Sequence, residues 1–256
     1  MKDIIKLLRV KQWVKNLFIF LPAFFGLKLL DANTLINNGY AFISFCFLAS
    51  SIYILNDILD KDADKKHPKK RERPIASGKI SIKEAIVILI ISLILAIVFT
   101  LPIKSTDLYI LLLSYLAINI FYTFRIKYIE IVDVFFIATG YIIRVLVGGV
   151  SGGIEINYWI IIMTFLLALL LGFAKRRDDV ILMESQSEKI RKSIDGYTLQ
   201  FVDSVLSVTS AVTIVAYIMY TISEQTMQRY HSKYVYITSF FVLLGILRYL
   251  QITISF

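Results

Sequence analysis

The chain has 256 residues, 57% of them apolar and only 18% charged, and its mean hydropathy is strongly positive. A soluble domain of this length needs more polar surface, so the composition points to a polytopic membrane protein. At this hydropathy the formal net charge of +9 marks basic cytoplasmic loops, not nucleic-acid binding.

In chain order, a basic N-terminal segment leads to KQWVKN (Lys11–Asn16), a basic aromatic approach to the first apolar run. The stretch that follows has no small-residue cleavage site, so no cleavable signal peptide is expected. Eight apolar spans follow, roughly Asn16–Leu30, Leu35–Leu55, Ala85–Leu101, Leu108–Phe124, Val132–Val150, Tyr158–Ala174, Thr198–Ile222 and Tyr234–Leu250. A helix needs about 20 residues to cross the hydrocarbon core. The first span is therefore short, tilted or interfacial. None alternates with period two, which excludes a β-barrel. The expected fold is an all-α, polytopic transmembrane helical bundle forming a single domain over residues 1–256. The one cysteine, Cys46, lies in an apolar run, so no intrachain disulfide forms.

Of the 28 basic residues, 22 fall before Asn16, between Lys61 and Lys83, at Arg125 and Lys127, and between Lys175 and Lys192. The intervening loops hold four. By the positive-inside rule both termini and the large loops are cytoplasmic. For most of these lysines topology is the whole reading.

The second span runs into NDILDKDADKKHPKKRERP (Asn56–Pro74). On a continuing helix, at about 100° per residue, Asn56, Asp57, Asp60 and Asp64 share an arc of roughly 100° while Asp62 points away. Asp57 and Asp64 are then separated by a rise of roughly 10 Å. A phosphate-bound Mg²⁺ or two ions suit that spacing, since hard cations take carboxylate oxygens. The bland alternative is a solvated helix end. It is disfavoured because the acids repel one another and oppose the helix dipole unless a cation sits among them. Lys70, Arg71 and Arg73 follow in a segment broken by Pro68, Pro74 and Gly78, a turn whose donors suit phosphate oxygens. His67 reads as a local hydrogen-bonding residue. Acids for Mg²⁺ followed by bases for phosphate describe a diphosphate site.

A second polar group, Tyr122, Arg125, Lys127, Glu130 and Asp133, lies between the fourth and fifth spans. In a bundle this turn would face the first cluster across a cytoplasmic mouth. Lys127 is the candidate for phosphate and Asp133 for the second side of the metal or ribose site; the plain reading of Arg125 and Lys127 is anchoring at the membrane surface. Arg144 lies eleven positions beyond Asp133, within about 20° of it on one helical face. So deep an arginine faces a partner or a watery cavity, an anionic substrate group or an acid. Gly148 and Gly149 read as close helix packing. Lys15 and Asn16 are candidates for a substrate phosphate, with interfacial anchoring as the default. Lys175 is a candidate phosphate ligand, Arg176 and Arg177 mainly topology, and Asp178–Asp195 a loop.

The spacing NDxxDxxxD at the end of the second span resembles the first signature of the UbiA superfamily of intramembrane prenyltransferases. KQWVKN, HPKKRERPIASG (His67–Gly78), YTFRIKYIEIVDV (Tyr122–Val134) and GYIIRVLVGG (Gly140–Gly149) resemble its polyprenyl-phosphate (decaprenyl-phosphate) phosphoribosyltransferase branch over nearly the whole chain. Three features depart from the pattern. Val10 stands where the branch has proline. The second, DxxxD-like signature of aromatic prenyltransferases is replaced by Asp133 with Ile137 four residues later. The ninth family helix is missing, as in a truncated sequence.

The resemblance implies transfer of 5-phosphoribosyl from 5-phosphoribosyl 1-diphosphate to a polyprenyl phosphate, with release of pyrophosphate. It further implies Mg²⁺ held by Asp57, Asp60 and Asp64, in a bacterial inner (plasma) membrane, at its cytoplasmic face. The lipid bilayer is the expected partner and nucleic acid is not; the sequence carries no oligomerisation signal. Alternatives are prenyl transfer from a polyprenyl diphosphate to an aromatic or other acceptor and, more remotely, transport. Polar density at the mouth and not at mid-membrane argues against transport.

Overall fold

The computed structural model describes residues 2–68, 70–186 and 196–255. Those residues form helices α1 (Lys2–Leu7), α2 (Leu21–Phe25), α3 (Ala32–Leu59), α4 (Lys61–Lys66), α5 (Ile82–Val98), α6 (Thr106–Phe124), α7 (Val132–Gly152), α8 (Tyr158–Gln186), α9 (Leu199–Ile222), α10 (Glu224–Tyr230) and α11 (Thr238–Ser255), with short 3-10 segments between some of them. Among the described residues there is no strand.

Local chemistry sets the helix starts. Asp31 caps α3 by accepting from the Thr34 amide at 2.8 Å; hydrogen bonding from the Thr34 side chain, and then from this amide, holds its carboxyl below the usual carboxylate range. Ser81 and Glu84 close a reciprocal capping box on α5, and Ser105, Thr198 and Ser223 cap α6, α9 and α10. Each cap satisfies an amide that the first helical turn leaves without a carbonyl.

Among the described residues six helices are long and apolar enough to cross a membrane: Ala32–Leu59, Thr106–Phe124, Val132–Gly152, Tyr158–Met183, Leu199–Ile222 and Val235–Ile254. The eight-span expectation is therefore not met by length. The first apolar run is not one α-helix but a 3-10 segment, Val10–Phe20, running into the five-residue α2. The third is a helix of 17 residues, α5. Outward-facing Ile86, Ile90, Ile94 and Ile97 on α5, and Phe240, Phe241, Leu244 and Leu247 on α11, are exposed. Such apolar stripes suit hydrocarbon and not water. The protein is an integral membrane protein.

The chain divides into two compact units, one of residues up to Arg125 with Ile143–Ile156, the other of Ile126–Ile142 with residues from Asn157 on. In the first, Phe45, Leu48, Ala49 and Ile52 of α3 pack with Ile19, Ala96, Leu108, Tyr115, Ile143 and Val147. Ser44 ties α3 to α5 through the Ala96 carbonyl at 2.7 Å. Gly148 lets the 3-10 segment approach α7: a Cβ there would lie 1.8 Å from the Ile19 carbonyl oxygen. In the second, Val134, Ala138, Leu169, Phe173, Val180, Val202 and Leu206 form the core. The expected loop from Asp178 to Asp195 is helical as far as Gln186, where α8 ends; residues 187–195 lie outside the described residues.

Candidate functional site

Helix α3 has 28 residues, about 42 Å at 1.5 Å per residue, which leaves its last turn free to carry polar groups beyond the hydrocarbon. That turn holds Asn56 and Asp57. The helix stops at Leu59, turns at Asp60 (φ −91°, ψ 7°) and resumes as α4. The continuous helix expected through this motif is thus broken at Asp60, yet α4 restores the phase. Asp57 and Asp64 are both buried, at 2% and 3% exposure, Asp60 is half-buried, and Asp62 points outward beside Lys65 at 3.6 Å.

Asp57 Oδ1 accepts from Arg9 Nη2 at 2.5 Å and from Arg73 Nη1 at 3.0 Å. The same Arg73 nitrogen donates to Asp64 Oδ2 at 2.6 Å. Two arginines therefore neutralise the acids that, from sequence, seemed to need a metal. Charge-assisted hydrogen bonds of this length are among the stronger polar contacts in proteins. Arg9 was not singled out from the sequence; it lies 48 positions from Asp57, and no local spacing flags it. Its backbone is left-handed (φ 51°) and its guanidinium lies 4.9 Å from the Tyr53 ring centroid. Arg73, expected to serve phosphate, is engaged with the two carboxylates.

The basic segment is ordered around this pair. Lys6 Nζ donates to the Glu72 carbonyl at 3.0 Å, Ile75 and Ala76 are buried, and Gly78 takes φ +76°. His67 Nδ1 accepts from the Lys70 amide at 3.3 Å, a local role as expected. Lys70 is half-buried and Arg71 exposed. Asn56 Oδ1 accepts from the Thr123 hydroxyl at 2.6 Å, one residue beyond the half-buried Tyr122 on α6.

Among the described residues no group of three His, Cys, Asp or Glu is arranged to hold a metal, so the three-carboxylate site expected of Asp57, Asp60 and Asp64 is not assembled. Two carboxylates nevertheless fit a divalent cation. Oxygens of Asp57 and Asp64 both lie within hydrogen-bond reach of one nitrogen, so they converge on one point. Mg²⁺ is commonly held by one or two carboxylates with substrate phosphates and water completing its shell.

Asn16 and Arg144 lie deeper in the same unit. Asn16 donates to Cys46 Sγ at 3.1 Å and accepts from Arg144 Nε at 2.8 Å. Arg144 also donates to the Tyr115 hydroxyl at 3.0 Å and lies over the Phe45 and Tyr115 rings at 4.8 and 5.1 Å. Both residues are buried, at 1% and 5% exposure. Their partners are internal, and they brace the 3-10 segment against α3, α6 and α7. Lys15, next to Asn16, is exposed.

The second unit holds Lys127, Asp133 and Lys175. Lys127 is half-buried, 5.2 Å from the Tyr128 ring centroid. Asp133 is fully buried, and its Oδ2 accepts from Arg176 Nη2 at 2.6 Å; Arg176 Nη1 also donates to Asp179 at 2.7 Å. Arg177 bonds Asp203 at 2.7 Å and the Thr253 and Ile254 carbonyls at 2.7 and 3.0 Å. Arg176 and Arg177 are thus structural ion-pair residues, not topology alone. The i,i+3 spacing of Arg176 and Asp179 was the one signal available for them. Ile131 (φ 64°) precedes α7, and its amide donates to the Tyr197 hydroxyl at 2.5 Å; burial pushes that phenol upward from its ordinary range. Lys175 is exposed and lines a pocket of about 410 Å³ with Asp178, Tyr249 and Thr253 among its walls.

The sequence model of the UbiA prenyltransferase family matches residues 19–254. The chain belongs to that family. Among UbiA relatives it is 33% identical over 220 residues to the decaprenyl-phosphate phosphoribosyltransferase of Corynebacterium glutamicum, covering 84% of this chain and 66% of that protein. To the protein of the same name from Mycolicibacterium smegmatis it is 30% identical, covering 86% and 70%. The chain thus spans just under two thirds of the first relative's length. Among solved structures, a UbiA homologue from Archaeoglobus fulgidus bound to GPP and Mg²⁺ superposes with a TM-score of 0.77 at 21% identity, covering 98% of this chain and 86% of that one. At that identity the likeness is one of fold.

Proposed function

We propose that this UbiA-family protein transfers 5-phosphoribosyl from 5-phosphoribosyl 1-diphosphate to a polyprenyl phosphate at the cytoplasmic face of a bacterial inner membrane. In this reading both termini lie inside. The observation that carries this reading is the convergence of Asp57, Asp64 and Arg73 at the end of α3, in a chain whose relatives at 30–33% identity bear the phosphoribosyltransferase name.

The chemistry fits those residues. A bound Mg²⁺ supplies charge neutralisation for the departing diphosphate. Asp57 and Asp64 would provide its oxygen ligands, their oxygens converging on the Arg73 nitrogen. Lys70 and Arg71 are the proposed donors to the anion, an electrostatic complement to charge that grows as the glycosidic C–O bond breaks, while Arg73 is bonded to Asp57 and Asp64. Lys15 and Tyr122, in the same unit as Asp57 and Asp64, are proposed contacts for substrate phosphate. The acceptor phosphate is anionic at neutral pH, so no strong base is required, and positioning supplies much of the acceleration.

The Archaeoglobus fulgidus fold neighbour is bound to GPP and Mg²⁺, which favours a second reading: prenyl transfer from a polyprenyl diphosphate. The two differ in which substrate carries the diphosphate. Pyrophosphate release by the full chain in detergent separates them. The first reading requires 5-phosphoribosyl 1-diphosphate, polyprenyl phosphate and Mg²⁺ together. Release from polyprenyl diphosphate with an aromatic acceptor would establish the second instead.

A further inference from the structure

Arg9 and Arg73 bond one oxygen of each carboxylate that a divalent cation would use. Arg9 Nη2 and Arg73 Nη1 both bond Asp57 Oδ1, at 2.5 and 3.0 Å, and Arg73 also bonds Asp64 Oδ2 at 2.6 Å. The carboxylates are sealed: the Asp57 and Asp64 side chains are 2% and 5% exposed. The guanidiniums are not; the Arg9 and Arg73 side chains are 25% and 27% exposed. The acids are fixed on α3 and α4 and the arginines reach in from solvent.

Charge balance then sets the sequence of events. Two carboxylates and two guanidiniums sum to zero. Adding a divalent cation to an unchanged cluster would leave two uncompensated positive charges in a poorly solvated place, which is costly. The balance is restored when the guanidiniums leave the carboxylates and meet an anion. Arginine suits both partners, because its planar fork matches carboxylate and phosphate alike.

We propose that Arg9 is an internal counter-ion that competes with the divalent cation for Asp57 and, once displaced, takes up the charge of the diphosphate, so that cation and anion bind with positive coupling. Arg73 is the second competitor. This inference rests on the divalent-cation reading of Asp57 and Asp64. It makes Arg9 a residue that weakens cation binding when no anion is present and strengthens anion binding when the cation is bound.

The test uses the full chain in detergent and Mn²⁺ alone, with free Mn²⁺ followed by electron paramagnetic resonance. Arg9→Gln is expected to bind Mn²⁺ about tenfold more tightly than the wild type, a shift typical of removing one close charge partner. With Mn²⁺ saturating, it should bind labelled pyrophosphate about tenfold more weakly. Arg73→Gln should move Mn²⁺ affinity in the same direction, and it keeps the test open if Arg9→Gln does not give a monodisperse protein. Unchanged or weakened Mn²⁺ binding in both variants, at a site that Asp57→Asn abolishes, overturns the inference and leaves the cation reading standing. No Asp57-dependent Mn²⁺ binding in the wild type or in either variant, with or without pyrophosphate, overturns both.

Discussion

Arg176 Nη2 donates to Asp133 Oδ2 across 2.6 Å, with the two side chains 2% and 0% exposed. This buried ion pair joins the first turn of α7 to α8 within one unit. Removing one partner of such a pair leaves a buried charge uncompensated, which typically costs about 3–5 kcal/mol, whereas replacing both with apolar groups is often neutral. Asp133→Ala should therefore lower thermal stability in detergent sharply. The double variant Asp133→Leu with Arg176→Met should recover most of it. If Asp133→Ala leaves thermal stability unchanged, the pair does not hold the helices.

Within the acidic motif, burial separates the aspartates. Asp57→Asn is expected to reduce turnover by about 100-fold or more, the scale seen when one electrostatic group at a reacting centre is lost. Asp62, on the outer side of α4 beside Lys65, should tolerate Asn with activity within about twofold, as surface ion pairs contribute little. Membrane insertion and detergent elution profiles should match the wild type in both cases. Equal loss in both variants would contradict the division of the motif into an inner and an outer face.

Because Arg9 and Arg73 neutralise Asp57 and Asp64, the fold does not depend on a metal to relieve acid repulsion. Chelation should stop turnover while leaving the unfolding midpoint unchanged to within about 1 °C, below the roughly 2–4 °C shift that a loss of ~1 kcal/mol produces in a domain of this size. A large drop on chelation would mean that the cation is structural.

Two glycines separate packing from propensity. At Gly148 a Cβ would meet the Ile19 carbonyl oxygen at 1.8 Å, so Gly148→Ala should cost about 1–3 kcal/mol or more through forced separation of the 3-10 segment from α7. At Gly39, inside α3, nothing lies within 4 Å, and Gly39→Ala should be neutral or stabilising by up to ~1 kcal/mol. Thermal unfolding of both variants checks the sign of each effect.

The long apolar runs made most helices legible, because a membrane-spanning segment announces itself by length and hydropathy. The runs at Asn16–Leu30 and Ala85–Leu101 did not announce their real form. Composition does not distinguish a 3-10 turn from an α-turn, and the capping box at Ser81 starts α5 earlier than the hydropathy does. The inner face of the aspartate motif was legible from a 100° periodicity, even though the helix breaks at Asp60, since α4 resumes in nearly the same phase. Arg9, Thr123 and Tyr197 were not legible. Their partners Asp57, Asn56 and Ile131 lie 48, 67 and 66 positions away, and only tertiary packing brings such residues together. Arg176 was misread because a basic residue after an apolar span is usually a topology signal, and its acid, Asp133, sits 43 positions upstream.

The most direct test of phosphoribosyl transfer follows the sugar itself. The purified chain in detergent would receive polyprenyl phosphate, 5-phosphoribosyl 1-diphosphate labelled in the ribose, and Mg²⁺, followed by organic extraction. The expected result is label in the lipid fraction, lost when any of the three is omitted and lost in Asp57→Asn. Label that remains wholly in the aqueous phase, under conditions where the protein is folded and binds Mn²⁺, would contradict the assignment.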